Sequence, residues 1–193
     1  MIAYKKEKTI NAISFFANEV YKRTGKYLPQ TLLYKLLAFL DFSSIEKLGK
    51  PALELEYRAY KNGPVPVGIY NNREGYKTDC FKFEKRGINR FVVISTKEAD
   101  LGYFSEFEIE IMNYLLNKYV KNNLDMKKII DKICEDSHND IKAWKVAYDR
   151  KKNSGINYSD TFEEIDKKED DKLSIQEERF LVYRGLKNNT LCN

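Results

Sequence analysis

The stretch that most constrains this chain runs Leu32-Leu33-Tyr34-Lys35-Leu36-Leu37-Ala38-Phe39-Leu40, just after Pro29. On a helix, Leu32, Leu33, Leu36, Leu37, Phe39 and Leu40 cover most of the circumference, and a helix apolar on nearly every side is buried at the centre of a fold. Pro29 suits its start, because the missing N–H would be unpaired in the first turn anyway. Gly49-Lys50-Pro51 punctuates its end.

The flanking segments read as follows. Residues 9–23 carry Ile10, Ile13, Phe16, Ala17, Val20 and Tyr21 at helical spacing, and Gly25 stops them. Leu53, Leu55, Tyr57 and Ala59 alternate with polar residues, which predicts a strand with one face inward. Asn62-Gly63-Pro64-Val65-Pro66 ends it, since prolines cannot donate to a ladder and Gly63 permits positive φ. Val67–Tyr76 suits a short helix. Phe81–Glu84 and Arg90–Ile94, around Lys85-Arg86-Gly87-Ile88-Asn89, predict an antiparallel hairpin with a basic tip.

Further on, Ser105 and Glu108 form a capping box opening a helix that runs to about Lys121. Asp125 caps a short helix with Ile129, Ile130 and Ile133 inward. Glu135–Asp140 reads as a turn with Ser137 as an N-cap, and Ala143, Trp144, Ala147 and Tyr148 share a further helix whose tryptophan belongs to the core. The predicted fold class is α+β: a predominantly helical domain over residues 1–150, with a small antiparallel sheet inserted between helix groups. Residues 151–193 form a charged C-terminal tail with one or two short helices. Lys151–Gly155 has linker composition, and residues 163–172 hold six acids, three lysines and one apolar residue. Ser174 and Glu177 make a second capping box, so that Ile175, Phe180, Leu181 and Tyr183 could dock a last helix.

Several function classes are disfavoured. No apolar run approaches the roughly 18–20 residues of a membrane span, and Met1–Lys6 lacks the order of a secretory signal, so a cytoplasmic protein with no membrane partner is expected. Cys80, Cys134 and Cys192 are odd in number and far apart, which argues against a disulfide framework. Cys134 and His138 have ligand-like spacing, but zinc wants about three or four ligands and no second cluster completes the set, so no metal is expected. His138 is the only histidine, and nothing near it resembles a nucleophile elbow. Neither GxGxxG nor GxxxxGK[ST] occurs, so no phosphate-cradling fingerprint and no cofactor is indicated. Paired carboxylates could sit among the 29 acidic residues, but the sequence singles out no pair, so nothing here argues for an enzyme.

Charge is unevenly spread over the 193 residues. Residues 1–99 hold 18 Lys and Arg against 10 Asp and Glu, whereas residues 100–193 hold 16 against 19. A positive N-terminal half suits an acidic protein or a nucleic acid. Helices followed by a basic ribbon resemble a winged-helix binder, with Lys82, Lys85, Arg86 and Arg90 tracking phosphate along the hairpin 81–94. Nucleic acid is nonetheless disfavoured, because no nearby helix offers the Arg, Asn and Gln needed to read base edges.

Three stretches carry a family resemblance. Lys35-Leu36-Leu37-Ala38-Phe39-Leu40-Asp41-Phe42 is similar to the apolar helix ending in an aspartate of the Panacea domain, the SocA-like antitoxin domain of bacterial and phage toxin–antitoxin systems. Tyr57-Arg58-Ala59-Tyr60-Lys61-Asn62-Gly63-Pro64-Val65-Pro66 resembles its strand and Gly-Pro-Val turn. Ser137-His138-Asn139-Asp140-Ile141-Lys142-Ala143-Trp144-Lys145 resembles its late serine-histidine turn and Ala-Trp helix. The resemblance spans about residues 28–148. Ala38 stands where the family usually has a second aromatic, and the tail after residue 150 resembles nothing in it. What the resemblance implies is a mainly helical, non-enzymatic protein that neutralises a cognate toxin by direct binding; in one branch of the family, an adaptor delivers its toxin to a cytoplasmic protease.

The residues that could contact such a partner are Asp41, Tyr60, Gly63, Pro64, Val65, Lys85 and Arg86. Each has a plainer reading. Gly63-Pro64-Val65 is also what a rigid turn requires. A carboxylate near a helix C-terminus opposes the macrodipole, so Asp41 is expected to have an intramolecular partner such as Arg58, Lys61 or a neighbouring helix cap.

Overall fold

The structure is a computed structural model in which residues 2–121 and 125–190 are described. Cys192 lies outside them. In chain order the described elements are α1 (Lys5–Thr24), β1 (Leu28–Pro29), α2 (Gln30–Leu48), β2 (Tyr57–Tyr60), β3 (Gly63–Pro66) and α3 (Val67–Asn72). They continue with β4 (Phe81–Gly87), β5 (Arg90–Ser95), α4 (Glu106–Tyr119), α5 (Met126–Asp140), α6 (Lys142–Arg150) and α7 (Ile175–Thr190). The fold is α+β and mostly helical, as its sequence pattern predicts.

Helix α2 is the hub. It is buried without a break from Leu32 to Phe42 and packs against α1, α4, α5, α7 and β3. Gly49 ends it at φ +73°, donating its N–H to the Ile45 carbonyl; a Cβ there would sit 2.5 Å from both Arg179 Cβ and the Gln176 carbonyl. Glycine is therefore needed twice, for the left-handed cap and for the close approach of α7.

One sheet has the antiparallel order β1-β5-β4, with Leu28 opposite Val93 and Phe83 opposite Val93 on the other side. Helix α1 lies on this sheet. Both capping boxes form: Glu108 accepts from the Ser105 N–H at 2.8 Å, and Glu177 from the Ser174 N–H at 2.9 Å. Glu108 has a second task, since its other oxygen meets Lys8 Nζ at 2.5 Å in a buried ion pair joining α1 to α4.

The second sheet is the hairpin β2–β3, and three expectations change there and nearby. The strand predicted from Leu53 starts only at Tyr57. Residues 53–55 lie outside the ladder: their N–H groups turn inward to a carboxylate, and Glu54 takes φ +56°. Gly63–Pro66, expected to end the strand, is itself a strand paired with β2, Arg58 opposite Val65 and Tyr60 opposite Gly63. Prolines are tolerated because 64 and 66 fall at alternate positions, facing Ala59 and Tyr57, whose own backbone groups bond the other way, to Asn153, Ser154 and Ile156. The expected 151–155 linker thus lies along the free edge of β2. The third change is Glu135–Asp140, which continues α5 instead of forming a turn; Ser137 sits inside the helix and donates to the Cys134 carbonyl, so it is not an N-cap.

Beyond Arg150 the chain stays on the same core. Tyr158 reaches α2, Ile165 and Phe180 are buried, and Lys187 pairs with Glu54 at 2.8 Å. The acidic stretch forms short 3-10 turns at Ile165–Lys167 and Asp170–Lys172.

Candidate functional site

The three family-like stretches meet. Asp41, fully buried in the second half of α2, accepts from the N–H groups of Leu53, Glu54 and Leu55 at 2.6, 3.2 and 3.2 Å, and from the Tyr57 hydroxyl at 3.0 Å. The Tyr158 hydroxyl lies 3.0 Å from Asp41 Oδ2 and 2.6 Å from the Leu55 carbonyl, so its one hydrogen serves one of them at a time. Burial raises the Asp41 carboxyl above the usual carboxylate range, against the pull of these donors. Asp41 thus has the intramolecular partners expected of it, but they are backbone amides and phenols. Arg58 and Lys61 are exposed and do not reach it.

One and a half turns earlier on α2, Lys35 is also buried, and its ammonium donates to the Pro64 carbonyl at 2.9 Å. Gly63, at φ +98°, lets this contact form: a Cβ there would lie 2.3 Å from Ser137 Oγ and 2.9 Å from Lys35 Cε. Trp144 completes the assembly. Its indole N–H donates to the Tyr60 carbonyl at 3.1 Å, and its ring is stacked between His138 and Tyr148 at 4.2 and 4.9 Å. His138 Nε2 is buried without a partner, and burial with the nearby Lys35 charge lowers its pKa. Cys134 and His138 share α5, but no group of three or more His, Cys, Asp and Glu among the described residues could hold a metal.

Lys35 carries a testable consequence. Burial lowers its ammonium to about 8 from an ordinary 10.5. Between those values the unfolded chain holds a proton that the folded chain has released, so Lys35 makes stability rise as pH climbs from 8 towards 10. In urea unfolding, the wild type is expected to gain about 1–2 kcal/mol over Lys35→Met between pH 7 and pH 9.5. The comparison with the variant matters because burial raises Cys134, which opposes the trend. Parallel pH profiles would mean that the lysine is not desolvated as described.

The seven residues singled out from sequence fall into three places. Asp41, Gly63 and Pro64 are buried in the contacts above. Tyr60 and Val65 are half-buried on the same hairpin and wall a groove of about 250 Å³ beside it. Lys85 and Arg86 are exposed at the tip of β4, paired with Glu74 at 3.5 Å and Glu84 at 2.6 Å. Sequence reasoning missed Lys35, Ser137 and Tyr158 as partners in the assembly. A lysine inside an otherwise apolar helix was the available signal for the first; nothing marked Tyr158.

No helix among the described residues is long and apolar enough to cross a membrane. No curated protein and no solved structure shows significant similarity to the chain. A family model does match: residues 33–145, which include all of Asp41, the Tyr57–Pro66 hairpin and Trp144, fit the description "Antitoxin SocA-like, Panacea domain". With more than half of its length covered by that match, the chain belongs to the SocA-like antitoxin family of Panacea domains.

Proposed function

We propose that this protein is a cytoplasmic antitoxin that neutralises a cognate toxin by binding it directly and covering its working surface, without chemistry of its own. Family membership over residues 33–145 carries this reading. The geometry supports it in a specific way: the residues that mark the family are used up in holding α2, the β2–β3 hairpin and the α5–α6 junction together. A rigid scaffold of that kind suits occlusion, because a preorganised surface loses little entropy on binding. A standard interface of roughly 1,600 Å² reaches nanomolar affinity or better when its centre is well packed.

The test is co-expression with the product of the adjacent gene. That product alone is expected to arrest growth, and this protein is expected to restore growth and co-purify with it. Unrelieved toxicity sinks the reading. A toxin whose half-life shortens in the presence of this protein would replace occlusion with delivery to a cytoplasmic protease.

A further inference from the structure

Beside the β2–β3 hairpin, the groove of about 250 Å³ is walled by Tyr34, Tyr60, Val65 and Tyr70, with Lys61 at its rim. The tyrosine rings are in contact, Tyr70 lying 6.3 Å from both Tyr34 and Tyr60. The groove does not stop there. The Arg73 guanidinium sits over Tyr70 at 4.1 Å and over Phe91 of β5 at 4.9 Å, and Lys85 lies over the same Phe91 ring at 5.9 Å. On the other flank Gln30, which also lines the groove, donates to the Asn89 carbonyl in the β4–β5 turn at 2.7 Å. A tyrosine groove and a basic hairpin tip, separate in sequence, are thus one continuous face.

Its charges face solvent. Among the described residues Lys61 is exposed and has no ion-pair partner, Lys85 meets only the exposed Glu74 at 3.5 Å, and Ile88 stands 91% exposed at the tip. Tyrosine and arginine are the side chains that dominate the centres of protein interfaces. The groove alone is too small to supply the roughly 800 Å² per partner that a stable complex needs, so the hairpin has to take part.

We propose that this face is where the toxin docks, and that it takes an acidic segment of the toxin whose carboxylates meet Lys61 and Lys85 while an aromatic or apolar side chain enters the tyrosine groove. The proposal rests on the antitoxin reading. Charge argues for it: the 99 residues that contain the face hold 18 Lys and Arg against 10 Asp and Glu, so an acidic partner is drawn to it. Nucleic acid is the weaker occupant, because alternation along β4 and β5 puts Lys82 and Arg90 on the opposite face from Phe91, leaving too few cations beside the groove to track a phosphate backbone.

Two experiments test the face. In the first, a short synthetic peptide of aspartate and glutamate around one tryptophan is titrated into the full-length protein at low salt, beside a lysine counterpart and oligothymidylate. The acidic peptide is expected to bind best, with NMR shifts at Tyr60 and Val65, and to lose about tenfold or more in affinity in the double variant Lys61→Glu/Lys85→Glu. Tyr60→Ala should weaken it as well, whereas Lys128→Glu, at the far end of α5 from Ser137, should not. Equal binding of the lysine peptide, no binding, or tighter binding of the oligonucleotide overturns the proposal. In the second, the double charge reversal is co-expressed with the adjacent gene's product. If the wild type restores growth and the variant restores it equally, the face is wrong and the antitoxin reading stands. If the wild type fails to restore growth, that reading falls, and the peptide result alone decides the face.

Discussion

Replacing Asp41 with alanine is expected to cost about 4 kcal/mol or more of folding stability, because the loss falls on its partners. Three backbone N–H groups, those of Leu53, Glu54 and Leu55, and the Tyr57 hydroxyl would keep their donors in a closed apolar space with no acceptor. Each buried, unsatisfied donor costs about 1–3 kcal/mol. For a chain of this length that is a fall in Tm of roughly 10 °C or more. Asp41→Asn separates acceptance from charge. Its Oδ1 can keep the Leu53 and Glu54 bonds, but its amide places hydrogens against the Leu55 N–H, so a cost of about 2–3 kcal/mol is expected. Calorimetry or urea unfolding orders the three proteins, with wild type above Asn and Asn above Ala. An alanine variant within about 1 kcal/mol of wild type would show that the 53–55 segment does not depend on this carboxylate.

The same hub shows where sequence patterns carry structural information and where they do not. Burial of α2 was legible from its own residues, since a helix apolar on most sides has nowhere else to go. Both capping boxes were legible for an equally local reason: a hydroxyl and a carboxylate three residues apart satisfy the same two N–H groups in any context. The strand at Leu53–Glu56 misled because alternation in the sequence does not show where the N–H groups go: Glu54, buried and at φ +56°, breaks the extended run, and the amides of 53–55 turn to Asp41. Ser137 misled because Glu135–Asp140 is polar on nearly every residue, and a helix held there by Trp144 stacking and by Gly63 leaves no apolar period to read. Tyr158 reaches the core through a segment whose composition suggests solvent, since only distant residues supply its partners, whereas Phe180 was legible as a docking residue of the last helix. The groove is a product of tertiary structure in the same sense: Tyr34, Tyr60 and Tyr70 come from three elements, and no local pattern places their rings together.

The second large effect is expected at Gly63. Alanine there adds one carbon, yet that carbon would sit 2.3 Å from Ser137 Oγ, 2.9 Å from Lys35 Cε and 3.0 Å from Lys35 Nζ. None of the three can swing away freely. Ser137 is fully buried and bound to the Cys134 carbonyl at 2.7 Å, and Lys35 is buried and bound to the Pro64 carbonyl. Overpacking of a closed site costs about 1–3 kcal/mol, and a φ of +98° adds about 1–2 kcal/mol for a residue with a Cβ. A combined loss of about 3–4 kcal/mol is expected in urea unfolding. If the clash is the cause, Ser137→Ala should restore part of it, because removing Oγ relieves the shortest contact while the backbone strain remains. The double variant Gly63→Ala/Ser137→Ala should then be more stable than the sum of the single losses by about 1 kcal/mol or more. Strict additivity would mean that backbone conformation alone demands the glycine. The hairpin also carries Tyr60 and Val65 into the groove, so whatever moves Gly63 away from α5 moves two walls of the docking face with it. Acidic-peptide affinity should therefore fall in Gly63→Ala even below its unfolding midpoint and recover with Ser137→Ala; recovery of stability without recovery of binding would separate the scaffold from the face.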